Sequence, residues 1–194
     1  MKNILVLGAN GSLAKVVIPV LLNNKQNRLT LLSRQTSQLR HFASDRVKII
    51  QADILNVPEL ENSMLGQDIV YANLAGSLPS MAKNIVQAMS KQKIKRLIWI
   101  SSMGIYDETS SSHGSILDPY RQSANIIETS HLDYTIIRPA WFTHDDEIDY
   151  SLTHKGQPFI GDQVSRRSIA DLIAKLIDRP DYAIGESLGI AKSY

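Results

Sequence analysis

The apolar run Asn3-Ile4-Leu5-Val6-Leu7 passes directly into Gly8-Ala9-Asn10-Gly11-Ser12-Leu13-Ala14, and this junction constrains the fold more than any other feature of the chain. A continuous apolar run suits a strand buried on both faces of a parallel sheet. The small residues after it let the backbone turn sharply and bring a helix N-terminus toward an anion. The spacing Gly-x-x-Gly-x-x-Ala differs from the common Gly-x-Gly-x-x-Gly pattern, and a plain tight strand-to-helix connection uses the same glycines. Context favours a phosphate site, because the turn opens a helix and begins a strand-helix-strand unit of about 30 residues. Gly8, Asn10, Gly11, Ser12 and Leu13 are the expected contacts.

Strand-like runs recur at Asn3–Leu7, Arg28–Ser33, Val47–Ala52, Ile69–Asn73, Leu97–Ser101, Thr135–Arg138 and Ser187–Ala191. Helical patterns lie between them at Ser12–Asn24, Ser80–Lys91, Pro119–Ser130 and Arg167–Asp178, the first interrupted by Pro19. Alternation of this kind predicts an α/β fold, a doubly wound parallel sheet with helices on both faces. With 194 residues and no internal linker, residues 1–194 are expected to form one domain. The chain after Arg138 is too short for a second domain, so a substrate pocket should be small and built from loops after residues 73, 101 and 138.

Composition excludes several classes. A net charge of +2 is far from the basic excess of a phosphate-backbone binder, so nucleic acid is not an expected partner. No cysteine is present, which removes disulfides, thiolate metal sites and a cysteine nucleophile. No apolar run approaches the roughly 18 residues of a membrane span, and the N-terminal run is too short for a signal peptide. The expectation is a cytoplasmic protein without membrane contact.

The end of the second strand selects the cofactor. An NAD site places Asp or Glu there for the ribose hydroxyls, whereas a 2'-phosphate needs a cation. Here the strand ends Leu31-Leu32-Ser33-Arg34-Gln35-Thr36, without an acid. Arg34 offers a planar fork of donors and Ser33 a hydroxyl, so NADP(H) is expected; the competing reading of Arg34 is a solvated strand-end residue. Asp53 in Gln51-Ala52-Asp53-Ile54 suits the adenine amino group, with Ile54 packed on the ring. Equally, it caps a helix beginning near Pro58 or stabilises its loop. Ala75 and Gly76 are small residues where backbone passes close to a cofactor, and Ser101 and Pro139 at two strand ends complete the set.

In this order the glycine turn, Arg34, Gln51–Ile54, Ile98-Trp99-Ile100-Ser101-Ser102 with Tyr106, Tyr134–Pro139 and Ser165–Ala170 resemble the atypical short-chain dehydrogenase/reductase group. The likeness is to NmrA-like NAD(P)-binding proteins and biliverdin-IX beta reductase/flavin reductase, over essentially the whole length. The resemblance implies that Ser102 corresponds to the active-site Ser or Thr and Tyr120 to the catalytic Tyr. Members with a Tyr-x-x-x-Lys pair use the lysine to lower the tyrosine pKa and bind ribose. This chain reads Tyr120-Arg121-Gln122-Ser123-Ala124. Arg121 points about 100 degrees away along a helix and is a poor substitute. The biliverdin/flavin reductase branch lacks the pair and still reduces conjugated acceptors.

Other constellations carry less. The five histidines are scattered, His144–Glu147 reads as a charged loop, and Lys91–Arg96 as a solvated helix end. Asp107–Ser115 is a surface loop or a lid. Trp141 and Phe142 suit either the core or an apolar wall for a flat substrate. The resulting expectation is an NADPH-dependent oxidoreductase transferring hydride to a small conjugated acceptor such as a flavin, quinone or related carbonyl compound. Ser102 would orient the acceptor, and Tyr120 or solvent would supply the proton. The alternative is a non-catalytic NADP(H)-binding regulator that reports cofactor redox state to a protein partner.

Overall fold

A computed structural model describes residues 1–109 and 114–193. In chain order its elements are β1 (Lys2–Leu7), α1 (Ser12–Asn23), β2 (Asn27–Ser33), β3 (Val47–Gln51), α2 (Val57–Ser63), β4 (Ile69–Ala72), α3 (Leu78–Lys91), β5 (Arg96–Ile100), α4 (Asp118–Glu128), β6 (Asp133–Pro139), β7 (Trp141–Thr143), β8 (Ser151–His154), β9 (Gln163–Ser165), α5 (Arg166–Asp178) and β10 (Glu186–Ala191). Short 3-10 turns occupy Ser37–Phe42 and Gly114–Leu117. The main sheet runs β3-β2-β1-β4-β5-β6-β10-β8. Its strands are parallel except β8, which pairs antiparallel with β10 at the edge, and β7 and β9 form a separate parallel ribbon.

Strand β1 shows why the sheet is covered on both sides. Ile4, Leu5, Val6 and Leu7 are all fully buried; Ile4 and Val6 enter one apolar cluster, Leu5 and Leu7 the other. The first cluster takes Leu13, Val17 and Leu21 of α1 together with Ile169, Ile173 and Leu176 of α5. The second takes Leu60 of α2, Ile85 and Met89 of α3, and Ile127 of α4. Helix α1 continues through Pro19, which lies exposed on its outer face.

Arg96 departs from the solvated reading of Lys91–Arg96, and a second arginine, Arg138, is buried as well. Arg96 begins β5 and is buried, donating to the carbonyls of Asp133 and Tyr182; burial lowers its pKa to about 10. Arg138 is buried inside β6 and pairs with Glu108, which is itself 5% exposed. It also donates to the hydroxyl and carbonyl of Ser187. Glu108 in turn accepts from the amides of Gly104 and Tyr106. An acid in the loop after β5 is thus bound to a cation in the neighbouring strand, which fixes the backbone bordering the larger cavity described below. Of Asp107–Ser115, residues 110–113, including His113, lie outside the described residues.

Candidate cofactor and substrate sites

Strand β1 lies between β2 and β4, so the chain leaves it in opposite directions on its two sides. Such a switch point opens a crevice at the carboxyl ends of the strands. A cavity of about 250 Å³ lies there, lined by Gly8, Asn10, Gly11, Ser33, Arg34, Asp53, Ile54 and Ala75 among others.

The glycine turn is dictated by packing as well as by ligand access. Gly8 has φ +78, and a Cβ built on it would meet the Asn73 carbonyl oxygen at 2.1 Å. A Cβ on Gly11 would lie 2.6 Å from Asn73 Nδ2. Both glycines therefore let the end of β4 cross the turn closely. Gly11 is the N-cap of α1, and no side chain caps that helix. The amides of Ser12, Leu13 and Ala14 in its first turn have no partner within the helix. They form a ready anion site whose donors are backbone groups; the Ser12 side chain is exposed and Leu13 belongs to the core.

Around the end of β2 the polar groups are pre-arranged. Asn10 Nδ2 donates to Ser33 Oγ at 2.9 Å and also to the carbonyl of Gln35. Gln35 N donates to the same Ser33 oxygen at 3.2 Å. With its oxygen accepting twice, the Ser33 hydroxyl proton is left for an outside acceptor. Asn10 Oδ1 is buried without a donor among the described residues. Arg34 is exposed and has no ion-pair partner among the described residues. The three groups together offer a cation, a hydroxyl proton and a carbonyl oxygen to a ligand.

Asp53 is used partly by its own loop. Its Oδ1 accepts from Leu55 N at 2.9 Å, while the cap of α2 is Asn56, which accepts from Glu59 N. Glu59 reaches back to Asn56 Nδ2 and to Asp53 N, completing a reciprocal cap. Of the expected segment after β4, Asn73, Leu74 and Ala75 line this cavity and Gly76 does not.

A second cavity, of about 540 Å³, lies at the ends of β5 and β6. Ser101, Ser102 and Tyr120 share it with Pro139, Trp141, Phe142 and Arg166. Bonds from Ser101 N to the Ile137 carbonyl and from Met103 N to the Pro139 carbonyl carry the strand pairing past the regular sheet and bind the two walls together. Ser101 Oγ is buried without a partner among the described residues, and Ser102 Oγ donates to the Met103 carbonyl at 3.0 Å. Trp141 is 70% exposed and Phe142 37%, so both belong to the wall of this cavity rather than to the core.

Four residues beyond Tyr120, Ala124 is 1% exposed and packed in the second apolar cluster. The face of α4 that carries lysine in a Tyr-x-x-x-Lys pair is therefore closed by apolar packing here. Ala124→Lys is expected to lower stability by roughly 3 kcal/mol or more rather than restore a pair, because it buries a charge in a filled space; chemical denaturation measures this. Arg121 donates to the carbonyls of Gly104, Ile105 and Gly114 and pairs with Asp107 and Asp118. It clamps the segments before and after residues 110–113, and Tyr120 is not among its partners.

Arg166 was not a candidate on sequence, although it stands in a Ser165-Arg166-Arg167 segment. Only the register of α5 separates the two arginines. Arg167 pairs outward with Asp146, while Arg166 turns to the cavity.

A crevice at the β1 switch point with the start of α1 in it and an apolar cavity at the neighbouring strand ends is the arrangement of a dinucleotide-binding domain. The chain belongs to the NAD(P)H-binding family, whose sequence model matches residues 8–180. It is 44% identical to a Rossmann-fold NAD(P)-binding family protein from Shigella flexneri, covering 99% of this chain and 94% of that one with a TM-score of 0.91. A short-chain dehydrogenase/reductase from Veillonella parvula DSM 2008, solved in complex with NADP, is 28% identical with a TM-score of 0.90, covering 98% of this chain and 94% of that one. A glutamyl-tRNA reductase from Pseudoalteromonas translucida (strain TAC 125) is 25% identical over 128 residues, 66% of this chain and 29% of that protein. The chain thus spans under a third of the length of that curated relative. Among the described residues no helix is long and apolar enough to cross a membrane.

Proposed function

We propose that the protein is an NADPH-dependent reductase of small conjugated acceptors such as flavins, quinones or related carbonyl compounds. The carrying observation is the larger cavity, in which two exposed aromatic side chains face a strand end bearing two serine hydroxyls. A planar acceptor stacks against Trp141 and Phe142, while Ser101 and Ser102 orient a carbonyl or the cofactor carboxamide. When bound, the reduced cofactor would supply hydride from its nicotinamide ring and be left as NADP⁺, the acceptor gaining two electrons. The accompanying proton comes from Tyr120 or solvent. Positioning of the two rings provides most of the acceleration, and proximity alone is worth several kcal/mol.

The preference for NADPH rests on Arg34 and the free Ser33 proton, with Asn10, Asp53 and Ile54 around the adenosine. The first-turn amides of α1 would take the pyrophosphate, Ala75 would pass close to it, and Pro139 would border the nicotinamide. The buried Ala124 favours the biliverdin/flavin reductase manner of reduction, which does without a lysine. It also supports the second reading, an NmrA-like regulator that binds NADP(H) without turnover and signals to a protein partner.

Acceptor-dependent NADPH oxidation across a flavin and quinone panel tests the proposal. Trp141→Ala should raise KM for flat acceptors by about 3- to 10-fold and leave NADPH affinity unchanged. Stoichiometric NADPH binding with no oxidation by any acceptor would favour the regulator.

A further inference from the structure

Arg166 is a partly buried cation in a mainly apolar cavity, and it is short of partners. Its Nη1 donates to the Thr143 carbonyl at 2.8 Å; among the described residues its Nε is buried without an acceptor and no carboxylate forms an ion pair with it. The guanidinium carbon lies 5.1 Å from the centre of the Phe142 ring. A ring on one side and a backbone carbonyl at one end hold the group in place without neutralising it. A guanidinium has five N–H donors, and an unpaired charge beside apolar walls is costly unless a ligand supplies the counter-charge. Two acids of the neighbouring loop are committed elsewhere, Asp146 to Arg167 and Glu147 to Lys192.

We infer that Arg166 binds an oxyanion, carboxylate or phosphate, carried by the acceptor. The inference rests on the reductase reading and narrows it: the preferred substrates are flat conjugated molecules bearing an anionic group at one edge. That group meets Arg166 while the conjugated ring lies along Trp141 and Phe142. The fork geometry of arginine suits either oxyanion.

The test uses two matched pairs, FMN against riboflavin for phosphate, and a naphthoquinone carboxylate against its methyl ester for carboxylate. Wild-type protein should show a KM about 10-fold or more lower for the anionic member of at least one pair, which also identifies the oxyanion. Arg166→Met should remove that preference and leave the neutral member unchanged, and Arg166→Lys should restore part of it. NADPH affinity, read by cofactor fluorescence, should be the same in all three proteins. Equal KM values within both pairs for the wild type would overturn the inference, as would a loss of NADPH affinity in Arg166→Lys, which would assign the residue to the cofactor. If no acceptor is reduced, binding of the same pairs in the presence of NADP⁺ separates the two claims. An Arg166-dependent preference for the anion then keeps the site and rejects the reductase, while no preference rejects both.

Discussion

Gly8→Ala is expected to be the most damaging single substitution in the cofactor site, lowering stability on the order of 3 kcal/mol and abolishing NADPH binding. Two effects add. The residue sits at φ +78, a region costly for any side chain, and the new methyl group would overlap the Asn73 carbonyl at 2.1 Å. That carbonyl is backbone at the end of β4, whose amide donates to the Leu7 carbonyl, so relief requires separating β1 from β4. Gly11→Ala serves as the comparison. Its methyl meets an Asn73 side-chain nitrogen, and its φ of −61 is ordinary, so a side-chain rotation relieves most of the contact and the loss should be nearer 1 kcal/mol. Denaturation midpoints of the two variants decide the matter; equal midpoints would show that crowding by Asn73 is not what requires glycine at position 8.

The second large effect concerns cofactor choice. Arg34→Ala should weaken NADPH binding by roughly 10- to 100-fold, the worth of a charge-assisted contact to a phosphate, while NADH binding is unchanged. The selectivity follows because Arg34 is exposed and engages no acid among the described residues, so its removal disturbs nothing in the free protein. Ser33→Ala should produce a smaller loss for both cofactors, since the same oxygen accepts from Asn10 and Gln35 and its removal loosens the loop. Fluorescence titration of each cofactor against each variant reads this directly. Parallel losses of NADPH and NADH in Arg34→Ala would mean that the residue does not recognise the 2'-phosphate.

How far the sequence carried the structure depended on the range of the interaction involved. Strands β1 to β6 and β10 were legible because each is a local apolar run, and their ends shifted by only a residue or two. The glycine turn was legible as a turn, but the neighbour that demands it, Asn73, is remote in sequence and gives no local sign. Strand β8 escaped notice because Ser151-Leu152-Thr153-His154 is too short and polar to stand out, and it pairs at an edge. The Glu108–Arg138 pair joins a loop acid to a strand cation, and nothing in either segment alone marks them as partners. Arg96 was hidden at the end of a basic run where a solvated reading is the natural one. Arg166 was concealed by its neighbour: adjacent arginines at a helix start look alike until the helix is packed, and only then does one face the cavity.

In the proposed reaction hydride passes from a cofactor held at the β1 turn to an acceptor in the larger cavity. Single-turnover oxidation of NADPH deuterated separately on each face of its nicotinamide C4 tests that claim most directly, with a flavin or quinone as acceptor. A nicotinamide ring held in one orientation beside Pro139 would present only one face to an acceptor stacked on Trp141 and Phe142, so deuterium on that face should slow the reaction and deuterium on the other should not. Acceptor-dependent oxidation slowed equally by both labels, or bound NADPH that no acceptor oxidises, would contradict it.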